Sequence, residues 1–176
     1  MIRRIATLAA CAALLGVAAC ASPSRPEFMA LPTTAGLTAA PGDIGYRSVT
    51  TINVSGGTET NPLWTAQVSN ADFKAALETS LMAAGYMGSD GRPLVVTANL
   101  VDLKQPLAGL DMSVTSQVRY TVTRDGQIIF DDTVAATGVA TMGQAFAAVE
   151  RLRLANEKSV QENIKEFLKR FRATAR

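Results

Sequence analysis

The sequence predicts an α+β domain with the order β-α-β-β-β-α: a four-stranded, mostly antiparallel sheet with two helices packed on one face. Three observations carry this. Met112 to Arg124 alternates strictly, with Met112, Val114, Val118, Tyr120 and Val122 on one side and Ser113, Thr115, Gln117, Arg119, Thr121 and Thr123 on the other. Asp125-Gly126 follows at once, and both residues accept the positive φ that a tight hairpin turn needs. Apolar residues recur at helical spacing in two further stretches, 69–84 and 144–172. An alternating strand has one buried and one wet face, which favours antiparallel pairing.

Taken in order, Met1 to Ala19 has the layout of an export signal. Arg3 and Arg4 form a basic start, Ile5 to Val17 is apolar and uncharged, and small residues lead to Cys20. The apolar run is shorter than the roughly 20 residues that a membrane span needs. Val17-Ala18-Ala19-Cys20 resembles the lipobox of bacterial lipoprotein precursors, in which the cysteine thiol is acylated and becomes the new N-terminus. A plain secretory signal with a chance cysteine is the blander alternative. Leu8-Ala9-Ala10-Cys11 fits the same pattern, but too little apolar sequence precedes it. Ala21 stands where an aspartate would mark inner-membrane retention in enteric-type bacteria, so sorting to the outer membrane is expected.

Cleavage before Cys20 leaves 157 of the 176 residues, enough for one domain with a real core. Arg3 and Arg4 leave with the signal, so 17 basic residues become 15, matching the 15 acidic ones. A nearly neutral mature chain gives no reason to expect a nucleic-acid partner. Both cysteines lie in the export region and the chain has no histidine. That removes disulfides, histidine-based triads and the usual transition-metal ligands from the mature domain.

The expected organisation is a signal peptide over 1–19, a lipidated cysteine with a flexible tether over 20–45, and a single α+β domain over 46–176. The tether is rich in Pro, Ala, Ser, Thr and Gly and shows no period of 2 or 3.6. As a flexible coil it would span roughly 25–30 Å. Phe28, Met29 and Leu31 are an apolar island within it, read as packing back on the domain rather than as a short partner-binding strand.

Arg47 to Ser55 is β-branched and alternating, with Thr50, Ile52 and Val54 on one face, and Gly56-Gly57 ends it. Trp64, the sole tryptophan, is read as a staple before the first helix, with an exposed membrane or partner anchor as the alternative. Ser69 to Ala84 is the first helix, with Ser69 and Asp72 as a capping pair and Phe73, Leu77, Leu81 and Ala84 as the apolar face. Gly85 suits the left-handed position after it. Leu94 to Leu103 is the second strand, and a fourth runs from Gln127 to about Gly138.

Gln144 to Arg172 is a long closing helix with Val149, Leu152, Ala155, Val160, Ile164, Phe167, Leu168 and Phe171 in one stripe. Its end holds Lys165, Lys169, Arg170 and Arg172 against Glu162 and Glu166, and the helix dipole explains cations there without a ligand. Contact with anionic head groups or glycans is the sharper alternative.

Reactive chemistry is sparse. Asp131-Asp132 is the one adjacent acidic pair, and on a strand the two side chains point to opposite faces, unsuited to a shared acid–base task. No phosphate-binding loop, nucleophile elbow or Ser-x-x-Lys pair occurs. No catalytic residue, cofactor or metal is therefore expected, and the one site residue singled out is Cys20, for lipidation.

Residues 70–81 (NADFKAALETSL) and 155–164 (ANEKSVQENI), behind a lipobox and a Pro-rich stretch, resemble helices of a loose superfamily of small envelope lipoproteins. It includes the lipoprotein that plugs the lipopolysaccharide-assembly barrel, YajG-type lipoproteins, and auxiliary lipoproteins of lipid-transport ABC systems. The resemblance implies a non-catalytic accessory subunit in envelope lipid or lipopolysaccharide transport or assembly. Its expected partners are the membrane, through Cys20, and an envelope protein. A lipid- or glycolipid-binding module, with its ligand between helices and sheet, and an activator of a cell-wall synthase are the alternatives.

Overall fold

The computed structural model describes residues 21–62 and 65–174. The signal, Cys20 and Trp64 lie outside the described residues. Seven elements follow one another: α1 (Pro26–Met29), β1 (Val49–Ser55), α2 (Asn70–Ala83), β2 (Leu94–Lys104), β3 (Met112–Arg124), β4 (Gln127–Ala140) and α3 (Ala148–Thr174). The sheet order is β1-β2-β3-β4. Because α2 crosses over between them, β1 and β2 are parallel; the other two pairs are antiparallel hairpins. The expected α+β class and mostly antiparallel sheet are what the structure shows, with a third, one-turn helix added.

The local signals act as read. The Ser69 hydroxyl accepts the Asp72 N–H at 3.1 Å and donates to the Asp72 carboxylate at 2.7 Å, capping α2. At the other end the Tyr86 N–H reaches Leu81 O and the Gly85 N–H reaches Met82 O, with Gly85 at φ 76°, which closes a Schellman motif. Asp125 and Gly126 take φ of 50° and 78°, the two left-handed positions of a primed hairpin turn.

β3 buries Met112, Val114, Val118, Tyr120 and Val122, and Ser116 fills the gap in that row. The opposite face stays wet, where Arg119 and Asp131 pair across the strands at 2.6 and 2.9 Å. β1 departs from its predicted face. A register shift between Val49 and Thr51 turns Val49 and Ile52 inward and leaves Thr50 exposed.

The larger correction concerns residues 21–45. They are not a flexible tether: they form a strap packed into the helical layer. Met29, Ala30, Leu31, Leu37 and Ala39 belong to the same buried cluster as Phe73, Leu77, Tyr120 and Phe167. The backbone is held along its whole course. Gln161 Nε2 donates to Phe28 O and Ala30 O, the Leu31 N–H donates to Ser80 Oγ, the Ala39 N–H to Ala84 O, and Tyr86 Oη to Leu37 O.

The strap lies between α2 and α3, which otherwise meet each other only sparsely. The island does pack back on the domain through Met29 and Leu31, as expected; for the rest, Pro-rich composition and the lack of a period misled the reading, because a close-fitting strap needs no period. The packed body therefore includes residues 21–45 and is not confined to 46–176.

Helix α3 sits on β3 and β4. Gly138 makes the close approach possible, since a Cβ there would meet Ser159 N at 2.3 Å and Ala155 O at 2.4 Å. Beneath this contact the amide of Asn163 donates to Ser116 O and Val134 O and accepts from Tyr120 Oη at 3.0 Å. Tyr120 stacks on Phe167 with ring centroids 4.0 Å apart.

If the strap is structural, Met29→Ala costs about 2–5 kcal/mol of unfolding free energy, as for a fully buried apolar side chain. A loose tether would lose nothing. Urea denaturation of the two proteins measures the difference.

Candidate functional site

The one residue whose chemistry the sequence specifies, Cys20, lies outside the described residues, but its neighbour is placed. Ala21 is buried, and its N–H donates to Pro62 O at 2.8 Å. Three residues on, the Ser24 N–H donates to Gln67 O. The Arg25 N–H then donates to Glu157 Oε1 at 2.9 Å, tying the start of the strap to α3. The Arg25 guanidinium lies over the Phe28 ring, 4.1 Å from its centroid.

Glu157 is the centre of a buried charge cluster. Its side chain is 2% exposed and pairs with Arg153, itself 4% exposed, which also pairs with Glu150. The hydrogen bond from Arg153 holds Glu150 below the usual carboxylate range. Burial pushes Glu157 the other way, above that range, against the Arg25 N–H and the Arg153 guanidinium. Its second oxygen, Oε2, is buried without a hydrogen bond among the described residues. A buried ion pair with one oxygen unsatisfied contributes to placement more than to net stability.

Asp131 and Asp132 separate as their strand positions require. Asp131 pairs with Arg119 on the wet face, and Asp132 with Arg170 of α3 at 2.8 Å. The basic end of α3 is likewise internally paired: Lys165 with Glu162, Lys169 and Arg170 with Glu166, while Arg172 donates to Gly36 O. Among the described residues no group of three His, Cys, Asp or Glu is placed to hold a metal ion.

The space between helices and sheet, where a bound acyl chain was expected on the lipid-binding alternative, is filled by Phe73, Leu77, Tyr86, Tyr120, Phe167 and Phe171. A groove of about 360 Å³ does open on the surface, between strap residues Leu31, Pro32 and Leu37 and α3 residues Gln161, Lys165 and Lys169. Sequence reasoning missed this groove because, beyond the Phe28–Leu31 island, it read 21–45 as a loose tether.

No family model matches the chain, and no curated protein matches it in sequence. Solved structures share its fold. A Xanthomonas campestris protein of the DUF330 family has a TM-score of 0.59 at 9% identity, over 88% of this chain and 96% of that one. A Caulobacter crescentus CB15 protein provisionally described as a lipoprotein has a TM-score of 0.53 at 11% identity, over 76% and 94%. PelC from Paraburkholderia phytofirmans, a dodecamer, has a TM-score of 0.50 at 14% identity, over 77% and 95%. At these identities the likeness is one of fold. No helix among the described residues is long and apolar enough to cross a membrane.

The Glu157 environment sets a pH dependence. Because burial raises its folded-state pKa, its contribution to stability is full below the unfolded-state value and is lost as pH rises through the folded one. Glu157→Gln, fixed in the neutral state, therefore gains stability relative to the parent as pH rises from about 4 to about 8. Urea midpoints at several pH values show the trend.

Proposed function

We propose that this chain is a lipoprotein of the outer membrane, and that its folded body is a non-catalytic accessory subunit in envelope lipid or lipopolysaccharide transport or assembly. The observation that carries the reading is the position of Ala21. The residue next to the lipobox cysteine is already locked into the body. An acylated Cys20 would hold that body against the bilayer with almost no slack and in a defined orientation. Several acyl chains, at about 0.8 kcal/mol per buried CH2, make such an anchor stable.

The fold supports the same reading, since it occurs in a protein provisionally described as a lipoprotein. The paired state of the described acidic and basic side chains around α3 supports a binding role over a catalytic one. Cys20→Ala in the full chain is expected to move the protein from the membrane fraction to the soluble one. The parent, crosslinked mildly and purified, is expected to bring down components of a lipid-transport or assembly complex. Recovery of the chain alone counts against the accessory role.

The groove beside the strap favours a second reading, a module for a lipid or glycolipid. Leu31, Pro32 and Leu37 in its lining suit an alkyl chain, and the pairs Lys165–Glu162 and Lys169–Glu166 line it as well, offering both donors and acceptors to a polar head group. Native mass spectrometry of protein extracted from membranes is expected to show a bound lipid mass; an unshifted mass excludes it.

A further inference from the structure

Two loops, 105–111 and 141–147, stand side by side at the end of the sheet near which Ala21 is held. The link to the anchor is continuous. Ala21 is bonded to Pro62, the turn from Asn61 closes on the Thr65 N–H, and Thr65 Oγ1 donates to Gln105 Oε1 at 3.1 Å. Gln105 Nε2 in turn donates to Ala66 O and to Asn156 Oδ1 of α3. Arg151 ties the two loops together: its guanidinium donates to Ala145 O and Phe146 O in one and to Gly109 O in the other. The Met142 N–H donates across to the Asp111 carboxylate at 3.3 Å.

These clamped loops present apolar side chains to solvent. Leu107 is 106% exposed, Phe146 89%, Leu110 73% and Met142 43%. No charged residue occurs from Gln105 to Leu110 or from Thr141 to Ala148. Single exposed hydrophobes are ordinary on a protein surface, but four on two adjoining loops, whose one charged residue is Asp111 at the edge against β3, are a patch with a purpose. Polar backbone held by Arg151, with apolar tips outermost, suits the boundary between head groups and acyl chains.

We infer that Leu107, Leu110, Met142 and Phe146 insert into the bilayer interface beside the acylated Cys20. The inference rests on the anchoring proposed above. The occupant is the lipid surface rather than a protein because Ala21, one residue from the proposed anchor, is held at this same end. The loops and the acyl chains together would fix the body upright, with the long axis of the sheet pointing away from the membrane and the Asp125-Gly126 turn at the far end. The wet sheet face and the groove beside the strap would then both be open to the periplasm.

The test uses the full chain, processed in cells and reconstituted in vesicles of phosphatidylethanolamine and phosphatidylglycerol. A thiol-reactive fluorophore is placed by Phe146→Cys, by Leu107→Cys or, at the opposite end beside the hairpin turn, by Gln127→Cys. All three side chains are exposed, and the mature domain has no other free thiol once Cys20 is acylated. Lipids brominated on their acyl chains are expected to quench the probe at 146 and 107 severalfold more than the probe at 127.

Equal quenching at all three positions, with Cys20 shown by mass to be acylated, overturns the insertion and leaves the anchor standing. Shielding of position 146 in cells but not in protein-free vesicles also overturns it, in favour of a protein partner. An unmodified Cys20 in a chain that stays soluble overturns the anchoring and the insertion together.

Discussion

The strap between α2 and α3 is the contact on which the rest of the body depends. Two helices on a four-stranded sheet normally close their layer by packing on each other. Here they hardly touch, and residues 21–45 fill the gap. Filling it with extended chain creates a difficulty, because each strap peptide group brings an N–H and a C=O out of water. The neighbouring helices answer with side chains and free carbonyls: Gln161, Ser80 and the end of α2 at Ala84. Met29, fully buried, then supplies the roughly 1.5–3 kcal/mol that burying such a side chain is worth.

A second constraint runs down α3. Asn156, Ser159 and Asn163 recur every three or four residues and all face inward. Each bonds to backbone outside its own helix: Asn156 to Ala66 O, Ser159 to the Ser116 N–H and Ala136 O, Asn163 to Ser116 O and Val134 O. With Gly138 removing the one Cβ in the way, helix and sheet backbones come close enough for these short side chains to reach. Apolar packing alone would allow α3 to slide or rotate on the sheet. A row of directional bonds, costly to leave unmade, selects one register.

These two features give the molecule distinct ends. At one, Ala21 is locked, the Arg153–Glu157 cluster ties the strap to α3, and the loops bearing Leu107, Leu110, Met142 and Phe146 project. At the other lie the Asp125-Gly126 turn, with its Arg92–Asp125 ion pair, and the paired basic tail of α3. On the anchoring proposed above, attachment at residue 20 would turn that asymmetry into an orientation, something a loose coil of 25 residues could not transmit. A subunit whose faces are set relative to a membrane can present a groove or a sheet face to a partner without reactive groups of its own.

Much of the fold was legible because its signals are local. The cap at Ser69, the left-handed Gly85, the Asp125-Gly126 turn and the alternation of β3 each depend on residues a few positions apart, and each formed where expected. The polar stripe of α3 was not legible. Asn156, Ser159 and Asn163 look like solvent-facing residues until the sheet supplies their partners. Nor was the register shift in β1, which exchanges Thr50 for Val49 on the inner face.

What the sequence determined by itself is the order of the strands and the two long helices, the hairpins and the helix ends. Only the tertiary structure decided where 21–45 goes, which polar residues are inside, and that the chain is held from Ala21 onward. The physical reason is the range of the interactions. Caps and tight turns are satisfied within one stretch of chain, whereas a strap is stabilised by groups on α2 and α3 that lie 49 to 133 residues away.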